Sequence, residues 1–355
     1  MIKYYNSGRI VRIVFFCITF LVISAGAVFQ QNLQDRNENK SNSVPQKLKP
    51  DNVNSSEEES GPADTVKIGA YIFSVYDLDF PGNKINADFY VWYNTTKDSL
   101  ELLKYFELVN AVNFERSGET DERRGNIIYQ TLRINSKLKT SWDVSHFPFD
   151  RQSVEIMIED YDKDNSKLIF VPDTIGSKID KSVRIEGWKV KDFGIKVVDH
   201  TYETNYGDPS IPLNEYSAYS RVVIYFTIER EGKGLFFKLF IGLFISVLIS
   251  LLTFFVNPLD LDPRFGLSVG AIFAAIASQY VISSTLPQNA KLTLVDILHD
   301  ISFIFIFVCI LVSTISLHLK KNGKEEQSQK LDRYSFFVLA ASYIILAAYF
   351  IVSSF

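Results

Sequence analysis

A chain of 355 residues with 47% apolar and 14% aromatic side chains is long enough for two modest domains and too apolar to be disordered throughout. A net charge of −4, with no cluster of lysine and arginine, excludes a nucleic-acid partner. Two cysteines, Cys17 and Cys309, exclude a Cys-x-x-Cys metal or redox site.

At the start of the chain, Lys3, Arg9 and Arg12 precede an apolar run from Ile13 to Ile23 and the small residues Ala25-Gly26-Ala27. This pattern predicts a signal peptide over residues 1–27, with an uncleaved anchor as the alternative; either would export the downstream domain. Residues 28–63 are dominated by Asn, Ser, Glu, Asp, Gln and Lys, which predicts a disordered polar leader.

Residues 64–232 change character. Runs such as Val66 to Ile72, Ala87 to Tyr93, Ile127 to Arg133 and Tyr219 to Thr227 alternate with period two between Pro, Gly, Asn and Asp signals. The prediction is an all-β immunoglobulin-like sandwich, with one short helix near Ser99 to Phe106. Trp142 and Trp188 are assigned to its core.

Residues 233–355 predict an all-α transmembrane domain with helices over about 234–256, 264–286, 292–319 and 334–355, each long enough for a hydrocarbon core of roughly 30 Å. The second is the most polar, being rich in Gly, Ala and Ser and containing Gln279. The linker 320–333 carries Lys320, Lys321, Lys324, Lys330 and Arg333, which places it in the cytoplasm if the sandwich is exported. Within the second helix, Gly266, Gly270, Phe273, Ala277, Tyr280 and Ser284 fall on one stripe, open either to ordinary helix packing or to a lumen.

Enzyme chemistry lacks its parts. His146, His200, His299 and His318 are scattered, with no H-E-x-x-H, G-x-S-x-G or phosphate-binding glycine loop, so neither catalytic residues nor a cofactor is implied. A secondary transporter would carry inverted repeats and broken helices, and neither is visible.

Trp142 to Gln152 contains Phe147-Pro148-Phe149-Asp150 and resembles the signature loop of the Cys-loop receptor superfamily, the pentameric ligand-gated ion channels. Thr140 and Val154 stand where animal members have their two cysteines, which together with the short 320–333 linker resembles the prokaryotic branch. The resemblance runs over roughly residues 65 to 355 and includes Leu286-Pro287 closing the second span. The proline common in the first span is replaced by Phe240-Ile241-Gly242-Leu243.

The resemblance implies a homopentamer of identical subunits in the plasma (inner) membrane, with the bilayer, a small-molecule or proton agonist and inorganic ions as partners. The stripe from Gly266 to Ser284 would line the pore, Phe273 would be its gate, and Pro287 would set the exit angle. At the cytoplasmic mouth, a ring of Asp262 would favour cations and a ring of Arg264 anions. Cations are expected, with an anion channel and a non-conducting ligand sensor as alternatives. Tyr202, Tyr206 and Tyr216, on the hairpin from His200 to Tyr219, are the expected ligand-binding residues. Phe114 and Arg116 on one loop, Asp180 and Lys181 on another, and Trp92 on the complementary face are further members. Phe147, Pro148, Phe149, Asp150 and Arg230 would couple sandwich to membrane. Glu159, Asp160 and Asp162, with Glu155 and Asp164, are open to calcium or to a solvated acidic face. Asp296, His299 and Asp300 are open to proton gating or to a helix cap.

Overall fold

The computed structural model describes residues 62–207, 216–287 and 292–353. The expected signal peptide, most of the leader, Asp208 to Glu215 and Gln288 to Lys291 lie outside these. Ten strands come first: β1 Asp64–Asp79, β2 Lys84–Thr95, β3 Phe106–Leu108, β4 Ala111–Arg124, β5 Ile127–Lys139, β6 Arg151–Asp160, β7 Leu168–Pro172, β8 Lys178–Ile179, β9 Trp188–Tyr202 and β10 Ser217–Arg230. Four helices come after them: α1 Gly232–Leu252, α2 Leu261–Ser283, α3 Leu294–Lys321 and α4 Glu325–Ser353, with one 3₁₀ turn at Thr253–Phe255.

The strands form two sheets. One is ordered β4-β5-β2-β1-β7 with β8 also on β1; the other is ordered β3-β6-β10-β9. Alternation of inward and outward side chains explains why they face each other. In β2, Ile85, Ala87, Phe89, Val91 and Tyr93 point inward, and in β10 Val222, Ile224, Phe226 and Ile228 do the same. No helix forms near Ser99 to Phe106. The amides of Lys104 and Tyr105 both bond the Glu101 carbonyl in a turn, and Phe106 opens β3.

All four helices are long and apolar enough to cross a membrane. Thr293 caps α3 reciprocally: its hydroxyl accepts from the Asp296 amide at 3.2 Å, and its own amide donates to the Asp296 carboxylate at 2.9 Å. At the other end, Gly323 has φ +74°. The Gly323 amide bonds Lys320 O, and glycine takes this left-handed turn without the strain that a side chain would bring. The Lys324 amide bonds Leu319 O and completes the turn. As a result α4 begins at Glu325 rather than near residue 334, and only residues 322–324 separate it from α3.

The membrane helices join the sandwich directly, since β10 ends at Arg230 and α1 begins at Gly232. A side chain at Gly232 would strike the Pro148 carbonyl, whereas Gly234 has open space around it. Gly232→Ala is therefore expected to destabilise the full-length protein in detergent by about 1–3 kcal/mol. Gly234→Ala should leave the thermal unfolding midpoint near wild type; equal midpoints for the two variants would contradict the contact.

Candidate functional site

At the junction, the Arg230 guanidinium meets Asp150 through Nε–Oδ1 at 2.6 Å and Nη2–Oδ2 at 3.2 Å. It also lies 4.0 Å from the Trp188 ring centre and 4.9 Å from those of Phe80 and Phe147. Asp150 is 1% exposed and takes a further bond from Gln152 Nε2 at 2.6 Å. Trp142 stacks on the other face of this aromatic group through Phe80, at 4.5 Å. Phe149 stacks on Phe236 of α1 at 5.6 Å, following the cis peptide between Phe147 and Pro148. The predicted coupling residues are thus brought together, except that Pro287, although buried, lies in the segment that follows α2.

Along α2, Asp262, Gly266, Gly270, Phe273, Ala277, Tyr280 and Ser284 are all exposed in the single chain. The opposite face, with Arg264, Ser268, Ala271, Ala275 and Ile282, is buried. Arg264 is completely inaccessible. Its Nη1 and Nη2 donate to Asp332 of α4 at 3.0 and 2.7 Å, and Nη1 also donates to Val256 O at 2.9 Å. Sequence patterning had no signal for Asp332, which lies in the stretch taken as linker.

A second constellation forms at one end of the β3-β6-β10-β9 sheet. The Tyr202 hydroxyl donates to Glu159 Oε2 at 2.9 Å and accepts from Arg221 Nη2 at 3.0 Å, while Arg221 Nε donates to Glu159 Oε1. The Tyr202 ring meets those of His200, Tyr206 and Tyr219 at 4.6, 5.8 and 5.6 Å. Burial, then the bond to Glu159, pushes the Tyr202 phenol up to about 12. Burial, then the nearby Glu159, raises the carboxyl of Glu107, which faces Glu159 across the β3–β6 pair. Tyr105 and Tyr161 meet edge to face at 5.4 Å, with Lys163 Nζ 4.3 Å from the Tyr105 ring centre. Spacing along the chain singled out neither Tyr105, Tyr161, Tyr219 nor Arg221, because strand pairing alone makes them neighbours.

The other expected ligand residues lie elsewhere in the subunit. Phe114 and Arg116 are in strand β4, not a loop, and both pack on Phe106, with ring-centre distances of 5.9 and 5.8 Å. Trp92 donates to Asp173 at 3.3 Å and covers Gly69. Asp180 accepts from the Tyr71 hydroxyl at 2.6 Å; bonds from Ser182 and then Tyr71 hold its carboxyl down at about 2. Lys181 lines a cleft of about 820 Å³ together with Asp180 and Trp188. Tyr216, by contrast, stays beside the tyrosine cluster, half exposed and directly before Ser217, which pairs with Tyr202.

The calcium reading is corrected, and its alternative of a solvated face holds for Asp162 but not for Glu159 or Asp160. Glu159 is 2% exposed and engaged by Arg221 and Tyr202, while Asp160 is 3% exposed and accepts the amides of Asp162 and Lys163. Asp162 instead pairs with Lys163 at 3.3 Å. Among the described residues, no group of three or more His, Cys, Asp or Glu is gathered to hold a metal ion. His299 is buried, its Nδ1 2.8 Å from Val295 O and its Nε2 3.4 Å from Ser278 Oγ of α2, while Asp296 serves the α3 cap.

A β-sandwich whose final strand continues into four membrane-capable helices, with a Phe-Pro-Phe-Asp loop wedged at the junction, gives the architecture of a multi-pass membrane protein. No family model matches the chain. It is 22% identical over 212 residues to the human gamma-aminobutyric acid receptor subunit rho-1, covering 58% of this chain and 41% of that protein. The rat rho-1 subunit is 22% identical over 192 residues, covering 53% and 37%. A Caenorhabditis elegans gamma-aminobutyric acid receptor subunit beta is 21% identical over 180 residues, covering 51% and 31%. The chain thus spans less than half the length of these curated relatives. Weak homology to such subunits, the sandwich and the four apolar helices together fit a pentameric ligand-gated channel of the Cys-loop receptor superfamily.

Two measurements test this geometry. Arg264→Met leaves Asp332 buried without its partner and is expected to cost about 3–5 kcal/mol, with Arg264→Met/Asp332→Leu recovering most of it in thermal unfolding. A double variant as unstable as the single would contradict the pairing. The phenol of Tyr202 has a folded value above its ordinary 10.0. Its contribution to stability is therefore fully present below pH 10 and lost as pH rises from there through about 12. Tyr202→Phe should flatten the alkaline stability profile in that window.

Proposed function

We propose that the chain is one subunit of a homopentameric ligand-gated cation channel, with the sandwich outside the plasma membrane and the α3–α4 turn in the cytoplasm. The observation that carries this reading is the division of α2 into two faces. One face packs on the subunit's own helices. The other, including Asp262 and the stripe from Gly266 to Ser284, is left open.

Five such faces around an axis would line a pore, with Gly266 and Gly270 as rings of small residues and Phe273 as an apolar constriction that stops ions by dewetting. The disposition of charge supports cations. Arg264 spends its charge on Asp332 behind the helix, whereas Asp262 is free to face the lumen. An anion channel of the same family would need Arg264 to leave that pair, and a non-conducting sensor would leave the open α2 face without a use.

The agonist would sit against the tyrosine cluster of Tyr202, Tyr206 and Tyr219, capped by the hairpin that carries Tyr216. A neighbouring subunit would supply Trp92, Asp180 and Lys181 from its opposite edge, since these lie apart from the cluster within one chain; Phe114 and Arg116 would support the floor through Phe106. Movement of the hairpin would reach α1 through β10 and the Asp150–Arg230 pair.

Currents from purified protein in liposomes under asymmetric salt test the reading. The reversal potential is expected near that of the cation, shifting toward zero in Asp262→Asn. A reversal at the anion potential would overturn the selectivity, and ligand binding without any current would favour the sensor. Phe273→Ser is expected to leak without agonist; a resting conductance equal to wild type in well-expressed protein would remove Phe273 as the gate.

A further inference from the structure

Arg264 carries a full charge with no access to solvent, so that charge has to be met where it lies. Asp262 and Arg264 are two residues apart on α2, about 200° around the helix axis, so the turn that exposes Asp262 sends Arg264 inward. There the guanidinium reaches both Asp332 oxygens and Val256 O. Asp332 is its only ion-pair partner among the described residues, and Nε is buried with no hydrogen-bond partner among them.

The partner comes from a helix that does not belong to the open α2 face. Asp332 lies on α4, which packs chiefly on α3 and leaves that face uncovered. No second carboxylate stands ready to replace it. Asp260 and Asp262 are on the exposed side, Glu325 is engaged by Lys320 and Glu326 by Lys330. Asp332 also borders a cleft of about 590 Å³, in which the other ionisable lining residues, Lys320 and Arg333, are both cations.

While the pair is intact its charges sum to zero. Without the carboxylate, each subunit would keep an unmatched cation behind its pore wall, where the low dielectric carries a charge further than water does. A ring of such cations would oppose the ring of Asp262. We propose that Asp332 determines the ion selectivity of the pore from outside it, by cancelling the charge of Arg264 and holding its side chain behind α2. It is a positioning residue, because it acts through Arg264 and touches no permeant ion. This inference rests on the homopentameric cation channel proposed above.

The test is the ratio of cation to anion permeability, from reversal potentials of purified full-length protein in liposomes under asymmetric salt. Asp332→Asn keeps the shape but not the charge and is expected to lower the ratio roughly tenfold or more. Asp332→Glu should hold it near wild type. Arg264→Met/Asp332→Leu also abolishes the pair but leaves no net charge, so its ratio should return close to wild type. A purely structural role would disturb Asp332→Asn and the double variant alike, whereas the proposal separates them. If Asp332→Asn does not accumulate alone, it is coexpressed with wild type and the mixed pentamers are purified through a tag on the altered subunit. Their ratio should fall as the share of altered subunits rises. An unchanged ratio in Asp332→Asn or in the mixed pentamers would overturn the inference, as would a double variant shifted as far as Asp332→Asn. A wild type that passes anions or no current would instead overturn the cation-channel reading, and this role of Asp332 with it.

Discussion

Arg230 ties the end of the sandwich to the loop that meets the membrane helices. Its backbone amide bonds the Asp150 carbonyl at 3.1 Å while its guanidinium holds the Asp150 carboxylate, so the signature loop is fixed to the end of β10 twice. Three aromatic rings enclose the same guanidinium, and a charge withdrawn from water this far is tolerated only because a carboxylate matches it. One residue before Asp150, Phe149 reaches α1. Loop, strand and helix therefore share a single set of contacts, and none can shift without carrying or breaking the others.

The same device recurs at both ends of the molecule. Arg221 is held by the buried Glu159 in the sandwich, and Arg264 by Asp332 near the far ends of α2 and α4. In each case an arginine joins elements far apart in sequence, because its planar fork reaches a carboxylate bidentately or continues into a neighbouring hydroxyl or carbonyl. These pairs also determine where charge is not available. With Arg264 removed to the helix interface, the exposed ionisable groups at that end of α2 are both acidic, Asp262 and the capping residue Asp260. With Glu159 occupied, the tyrosine cluster presents hydroxyls and ring faces, with Glu107 beside them.

Several features were legible from local pattern alone. Period-two alternation marked β2 and β10 because each strand buries only one face, and four long apolar runs marked the helices because a bilayer core demands that length. The stripe from Gly266 to Ser284 came from helical geometry, and the motif Phe147 to Asp150 carried the family resemblance. Helix ends were read less well: α4 starts early because the positive φ of Gly323 lets the chain turn at once, and Glu325 to Lys330 are too polar for a hydropathy pattern to include.

What only the tertiary structure decided is which side chains meet. A sequence displays that Arg264, Asp332, Arg221 and Glu159 exist, but ion pairing depends on distances across 68 and 62 positions of chain, which no local period encodes. The acidic run after the signature loop looked like a cation site or a wet face because its charges are adjacent in sequence. Strand alternation and the turn after β6 send them instead to Arg221, to backbone amides and to Lys163. By itself the sequence determined a sandwich, four membrane-capable spans and one stripe along the second; the fold decided that this stripe is left uncovered within the chain and that the arginine beside it turns away from it.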